Sequence, residues 1–391
     1  MKAYDYLIVG GGMTAASAVE GIREKDEEGT IAVISAEANP PYDRPPLTKG
    51  LWKGKKLKSI WRDTPEYNID IYLGTRVTRL MPENKRVEDE NGEIYNYGKL
   101  LLATGGQPKR LPGDTEGVIY FRTLEDYLAL ANMAKQGGRF VVVGGGFIGS
   151  ELAAALRMND QDVTMIISEE GVGAKIFPKD LSQHITGYYK EKGVKLLTGQ
   201  KVNEVLPQKE GFLVKTSAGE SVEADHVVVG IGIQPNVELA EAAGIEVDDG
   251  IRVGEFLQTN LPDIYAAGDV ARFPLAMLGG NIRFEHEDNA NTMGHVAGRL
   301  MAGGREPYKQ IPMFYSDLFD LGYEAVGILD ASLRTVEDWY DNAYKKGVVY
   351  YLDGETLRGV LLWNVWDKVD AARELILTTA LVGAGELKGS L

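Results

Sequence analysis

Cysteine is absent from this 391-residue chain, and histidine is scarce at four. Without thiols there is no disulfide, no thiolate nucleophile, no thiolate-bound zinc, no cysteine-ligated iron–sulfur cluster and no redox-active dithiol within the chain. The histidines are scattered and have no cysteine helpers, so no metal site is expected. No apolar stretch approaches the roughly 20 residues that a membrane-spanning helix requires. Basic residues are outnumbered, 42 against 57 acidic, for a net charge of -15. Such a chain does not settle on a nucleic-acid backbone unless a local patch overrides the total. The opening from Met1 to Gly10 runs straight into a strand pattern. That leaves no room for a basic prefix, an apolar signal segment and a cleavage site, so a soluble cytoplasmic protein is expected.

What the chain has in excess is glycine, at 47 residues. That is about one position in eight, against a usual share of about 7%. No collagen period absorbs these glycines. They must serve tight turns, helix entries or close approach of backbone to a ligand, and bound phosphates would account for many of them. At roughly 100 to 200 residues per domain, the chain has room for two or three domains.

A short strand at 4–9 breaks at Gly10-Gly11-Gly12 and is followed by an Ala-rich helical run, Met13 to Lys25, and a strand at Thr30 to Ser35. This is a βαβ opening. The same grammar returns at Arg139 to Val143, Gly144-Gly145-Gly146, a helix through Arg157 and a strand at Asp162 to Ile167. The Pro/Gly-rich stretch Gln107 to Gly117 reads as a crossing linker, and a return crossing is expected near 240–250. From Pro312 onward, alternating segments and a final helix near Lys368 to Leu381 suggest a small α+β domain, with Trp339, Trp363 and Trp366 in its core. The expected fold is α/β: two Rossmann-like, glutathione-reductase-like dinucleotide-binding domains and a small α+β C-terminal domain. The expected limits are 1–114 with 247–311 for a discontinuous FAD-binding domain, 115–246 for an NAD-binding domain and 312–391 for the last.

In the first fingerprint, Gly10-x-Gly12-x-x-Ala15, missing side chains let a diphosphate approach the N–H groups at a helix N-terminus. Glu37, at the end of the second strand, can accept hydrogen bonds from both ribose hydroxyls. The second fingerprint, Gly144-x-Gly146-x-x-Gly149, is followed in the same way by Glu169. An acid there repels a 2'-phosphate and favours NADH over NADPH, although Lys175 nearby could rescue phosphate binding. Two dinucleotide units in a cysteine-free chain suit a flavin enzyme, in which hydride passes between nicotinamide and flavin without a protein nucleophile. A binding scaffold that senses NADH is the alternative.

Several separated motifs carry a resemblance over essentially the full length: Val9-Gly-Gly-Gly-Met-Thr-Ala-Ala, Pro41-Tyr-Asp-Arg-Pro-Pro-Leu-Thr-Lys49, Ala103-Thr-Gly-Gly, Gly144-Gly-Gly-Phe-Ile-Gly-Ser-Glu151 and Ala266-Ala-Gly-Asp269. The chain resembles the FAD-dependent NADH oxidoreductases that include apoptosis-inducing factor and the oxygenase-type ferredoxin reductases. The likeness to the apoptosis-inducing-factor branch is closer, through Arg283-Phe-Glu-His286, Met313-Phe-Tyr-Ser-Asp-Leu318 and the tail, but only a short connection between Glu337 and Lys345 stands where that branch has a long insertion. The resemblance places Glu37 on the FAD adenosine ribose, Arg44 and Lys49 toward the flavin side, and Asp269 on the ribityl or diphosphate region at a helix entry, where an ordinary N-cap is the plainer reading. It places Lys49 and Glu151 beside the isoalloxazine, unless they form only a salt bridge. His286 falls near flavin and nicotinamide, with packing or helix-dipole roles as the alternative. Phe314 and Tyr315 resemble the aromatic pair beside the active ring, Phe314 with core packing as the plainer reading and Tyr315 where relatives carry Trp. Further cofactor contacts are implied for Val77, Ala103, Thr104, Gly105, Phe147, Ile148, Gly232 and Glu285. Lys49, Glu151, His286 and Tyr315 are the candidate catalytic set.

With no internal disulfide to reduce, electrons must leave for something outside the chain: a ferredoxin, a rubredoxin, a quinone or oxygen. From Arg44 to Arg62 the chain has Arg44, Lys49, Lys53, Lys55, Lys56, Lys58 and Arg62 and no acid. This stretch could steer an acidic iron protein, or it could be a solvated loop. The competing function is an NADH-responsive flavoprotein of slow turnover that signals through assembly or partner binding. A monomer or a homodimer, the latter one that NADH could promote, is expected in either case.

Overall fold

The computed structural model describes all residues except 1, 114, 341, 343 and 379–386. The chain forms two compact units. The first comprises Met1–Arg44, Leu57–Gln107 and Pro235–Pro312, and the second Pro45–Lys56, Pro108–Gln234 and Met313–Leu391.

The first unit opens with β1 (Lys2–Val9), α1 (Met13–Arg23), β2 (Ile31–Ile34), β3 (Asp70–Tyr72), β4 (Val77–Met81), β5 (Arg86–Asp89) and β6 (Ile94–Leu102). The chain then builds the second unit with β7 (Ile119–Tyr120), α2 (Leu124–Gln136), β8 (Arg139–Val143), α3 (Phe147–Met158), β9 (Asp162–Ile166), α4 (Lys179–Glu191), β10 (Lys195–Leu197), β11 (Val202–Pro207), β12 (Phe212–Thr216), β13 (Ser221–Ala224) and β14 (His226–Val229). It returns to the first with β15 (Ile264–Ala266) and α5 (Glu287–Met301). It closes in the second with β16 (Met313–Leu318), β17 (Leu321–Gly327), β18 (Arg334–Trp339), β19 (Gly347–Asp353), β20 (Thr356–Trp363) and α6 (Val369–Thr378).

In the first unit the sheet order is β3-β2-β1-β6-β5-β4, with β15 parallel to β6. Tyr6 to Val9 are all buried, as a parallel strand covered on both faces requires. The small residues of α1 let α5 pack against it at very short range. A Cβ at Gly298 would lie 2.0 Å from the Ala18 carbonyl oxygen, one at Gly294 would lie 2.4 Å from that of Thr14, and one at Gly21 would lie 2.0 Å from that of His295. Part of the glycine excess is therefore helix packing rather than ligand binding.

In the second unit a parallel sheet ordered β10-β9-β8-β14-β7 is joined by the antiparallel set β11-β12-β13. Val141, Val143, Val227 and Val229 share one buried cluster with Val205 and Val214. The C-terminal sheet is antiparallel, ordered β16-β17-β20-β19-β18. Its buried Tyr323 and Trp363 stack at 5.9 Å, and the Phe177 ring stands edge-on to both. This is the α/β architecture with two Rossmann-like sheets and a small C-terminal domain that the sequence predicts.

Three particulars differ from the reading of the sequence. The crossings between units fall at 107/108 and 234/235, and Pro45–Lys56 joins the second unit, an excursion with no local sequence mark. Trp366 is 49% exposed rather than in the core, because it lies past the end of β20 and covers Gly322 from outside. The last helix is Val369–Thr378, and the remainder of its expected span lies outside the described residues.

Because Gly298 meets backbone rather than a movable side chain, Gly298→Ala should destabilise the protein by about 1–3 kcal/mol. Urea unfolding would show this as a lowered midpoint at unchanged slope, and an unchanged midpoint would refute the tight α1–α5 contact.

Candidate functional site

β1 of the first unit and β8 of the second end in the same turn. Gly10 has φ +117° and Gly144 φ +119°, a region open to glycine and strained for other residues. A Cβ at Gly10 would stand 2.1 Å from the Ala103 carbonyl oxygen, and one at Gly144 would stand 2.3 Å from that of Gly230. Gly12 and Gly146 cap α1 and α3 in extended conformation, with no side-chain cap and no acid in the first turn. A Cβ at Gly146 would meet nothing within 4 Å. The helix N-termini thus face open cradles whose N–H groups suit a diphosphate. The third positions serve packing: Ala15 is fully buried, and a Cβ at Gly149 would lie 2.1 Å from the Gly144 carbonyl oxygen.

In the first unit Glu37 follows β2 and is held by its neighbours. The Tyr42 hydroxyl donates to its carboxylate at 2.7 Å, and Arg44 forms an ion pair with it. Arg44 comes within 4.0 Å of where a Gly12 side chain would begin. Burial alone would push its guanidinium down, but the charges of Glu37 and Asp269 hold it above its ordinary value. The structure therefore groups Arg44 with Glu37 in the first unit, whereas Lys49 belongs to the second. Past β6, Ala103 donates to the Val9 carbonyl at 2.8 Å, and Thr104 exchanges two hydrogen bonds with Asn236 at 2.8 Å each. Gly105 accepts from the Asn236 backbone. Val77 opens β4 in the same unit, half-buried.

Asp269 sits in a single 3-10 turn, Gly268–Val270, that leads into a strand at Ala271. It is therefore at no helix entry, and the N-cap reading falls. Arg283 ties this turn to the next motif: it donates to the Asp269 carbonyl at 3.1 Å and pairs with Glu285 at 2.7 Å. His286 is the residue before α5, in extended conformation, with no side-chain hydrogen bond to the helix start.

In the second unit Glu169 follows β9. Partial burial would raise its carboxyl, but the ion pair with Lys175 at 2.6 Å and the Ser168 hydroxyl at 2.9 Å hold it below the ordinary range. Lys175 is 80% exposed. Gly232, at φ +97°, ends the chain's passage beyond β14 in open space. In the first turn of α3, Phe147 meets Phe314 edge-on at 5.3 Å, and Ile148 is 37% exposed.

One turn further along α3, Glu151 is 3% exposed. Lys49 pairs with its Oε1 at 2.7 Å, Ser316 donates to the same oxygen at 2.5 Å, and Thr48 donates to Oε2 at 2.6 Å. The Lys49 ammonium also lies 5.1 Å from the centre of the Tyr315 ring, within cation–π reach. The structure therefore brings Lys49, Glu151 and Tyr315 together, whereas His286 belongs to the first unit. Thr48, Ser316, Tyr42, Asn236 and Arg283 escaped the sequence reading. Ser316 had a visible signal, as a polar residue on the side of β16 that Phe314 and Leu318 bury. The basic stretch is also less uniform than it reads. Arg62 is engaged with Asp43, Asn291 and Ser17, and Lys53 pairs with Asp317 at 3.4 Å, while all four of Lys53, Lys55, Lys56 and Lys58 lie at the surface.

Two glycine cradles, each followed by an acid after the next strand, define a protein with two dinucleotide-binding folds. Comparison with known proteins agrees. The chain belongs to the pyridine nucleotide-disulphide oxidoreductase family, whose profile matches residues 4–294. The C-terminal profile of mitochondrion-associated apoptosis-inducing factor matches 297–343 and 337–378. The two segments meet at the short connection noted in the sequence. The chain is 36% identical over 420 residues to apoptosis-inducing factor 1, mitochondrial, of Dictyostelium discoideum, covering 96% of this chain and 79% of that one. It is 33% identical to the ferredoxin reductase subunit of 5,5'-dehydrodivanillate O-demethylase from Sphingobium sp., covering 98% and 94%. The solved putidaredoxin reductase–putidaredoxin complex matches with a TM-score of 0.89 at 30% identity, covering 95% and 93%. The protein is a FAD- and NAD(P)H-dependent oxidoreductase that passes electrons to an external acceptor. With no cysteine, the disulphide chemistry in the family's title has no counterpart here. Among the described residues no helix is long and apolar enough to cross a membrane, and no acid or histidine cluster suits a metal.

Removing the cation from a buried pair leaves an uncompensated charge, so Lys49→Met should destabilise the protein by about 3–5 kcal/mol. The double variant Lys49→Met/Glu151→Gln should recover part of the loss in chemical denaturation. Equal stability of the single and double variants would show that the pair is not energetically coupled.

Proposed function

We propose that the protein oxidises NADH in preference to NADPH and delivers electrons to a small acidic iron–sulfur protein. The observation that carries the reading is the repeated strand–glycine–helix–strand–acid unit, with Glu37 and Glu169 at matching strand ends. In this reading the first unit holds FAD: the α1 N-terminus faces the diphosphate and Glu37, braced by Tyr42 and Arg44, accepts from the adenosine ribose. The second unit takes the nicotinamide dinucleotide at the α3 N-terminus, with Glu169 accepting from its ribose. Bound FAD supplies the hydride acceptor that the twenty amino acids lack. Lys49, fixed by Glu151 above Tyr315, offers a positive charge that favours the electron-rich form of the ring. Tyr315 covers a ring face with less area than Trp and carries a hydroxyl that needs a partner.

The acceptor class is supported by similarity to proteins whose own partners are ferredoxin-type carriers. Exposed Lys53, Lys55 and Lys56 would attract an acidic partner against a net charge of -15. With no cysteine, the chain has no dithiol of its own to receive the electrons.

Anaerobic mixing of the holoprotein with excess NADH should bleach the visible flavin absorbance, and turnover with ferredoxin should fall with ionic strength while turnover with a neutral dye does not. Absence of bleaching would overturn the oxidoreductase reading, and salt-independent ferredoxin turnover would overturn the basic docking face. Glu169→Ala should raise the NADPH-to-NADH ratio of kcat/KM roughly tenfold, the worth of a hydrogen bond to a charged group. An unchanged ratio removes Glu169 from the ribose.

A further inference from the structure

The Lys49–Glu151 pair is more tightly built than two charges require. Lysine is a compact charge on a stem with four rotatable bonds, and one carboxylate fixes neither its reach nor its direction. Here the carboxylate is itself fixed. Ser316 shares Oε1 with Lys49, and Thr48 takes Oε2, so both oxygens are directed and the carboxylate cannot turn without losing a bond. The donors are as buried as the acceptor, Ser316 at 1% and Thr48 at 5% exposure. An ionised carboxylate only accepts, and three converging donors suit it. The nearby Tyr189 does not compete, because its hydroxyl donates to the Ser150 carbonyl at 3.0 Å.

The strand geometry adds a second element. Successive side chains of β16 point to opposite faces. Tyr315 therefore meets the Lys49 ammonium from one side of the strand, while Ser316 meets the Lys49 partner from the other. A single strand of the C-terminal sheet thus addresses one lysine twice, once through its counter-ion and once through an aromatic face.

We propose that Ser316 and Thr48 are positioning residues: by locking the Glu151 carboxylate, they set where the Lys49 ammonium stands, so that the C-terminal sheet tunes the charge presented to the flavin. This rests on the role given to Lys49 above, and the test separates the two ideas. In the holoprotein, acylation of Lys49 by acetic anhydride is followed by mass spectrometry, alongside the midpoint potential of the bound flavin. Ser316→Ala and the near-isosteric Thr48→Val should each raise Lys49 acylation about fivefold, the equilibrium worth of one hydrogen bond, and should lower the potential. Thr48→Ser, which keeps the hydroxyl, should behave as the unaltered protein in both readouts. Unchanged acylation in folded Ser316→Ala and Thr48→Val proteins overturns the clamp. Should Ser316→Ala fail to fold, the Thr48→Val and Thr48→Ser comparison decides the question by the same readout. Raised acylation with an unmoved potential upholds the clamp and instead removes Lys49 from the flavin, an outcome that Lys49→Met would repeat by leaving the potential unmoved.

Discussion

Backbone must touch backbone at the end of each central strand, and the architecture of both units follows from that. At Gly10 and Gly144 the chain passes so near a neighbouring carbonyl that any side chain would overlap it, at 2.1 and 2.3 Å. Only there can a parallel strand turn directly into a helix whose first N–H groups stay uncovered. Everything placed around a nucleotide depends on those two turns, because they set the direction of α1 and α3 and hence the position of the strands that carry Glu37 and Glu169. The same absence of side chains operates along α1 and α5, where Gly21, Gly294 and Gly298 bring two helices together.

Glu37 and Glu169 are equivalent in chain position and different in surroundings. Glu37 is enclosed by Tyr42 and Arg44, and the guanidinium that neutralises it is itself mostly buried. Glu169 has a mostly exposed lysine as partner. A buried, planar guanidinium makes a rigid site, whereas a solvated ammonium on a flexible stem can leave.

Burying charge is costly, and Glu151 shows how the fold meets that cost. Its desolvation is opposed by one cation and two hydroxyls, all nearly excluded from water. A network of this kind is strong only when every member is satisfied. It therefore demands that Pro45–Lys56, α3 and β16 be in register together, which accounts for the allegiance of Pro45–Lys56 to the second unit. The cluster is both a structural lock and the place where the chain concentrates fixed charge.

The sequence by itself determined the two strand–glycine–helix units, the class of ligand they take and the exclusion of thiol chemistry. The exclusion of thiols follows from composition, and each unit is written in consecutive residues: a buried strand is a run of apolar side chains, and a turn with positive φ demands glycine. The sequence also suggested a small C-terminal α+β domain, though not the order of its strands. What only the tertiary structure decided is partnership. Glu151 lies 103 residues from Thr48 and 165 from Ser316, and nothing in the pattern around any of them names the others. Arg44 pairs with Glu37, and Asp269 sits inside a 3-10 turn capped by Ala267 rather than acting as an N-cap itself. Hydrogen-bond and ion-pair partners are selected by packing between distant segments, where burial makes an unmatched charge intolerable, and that selection has no local signature.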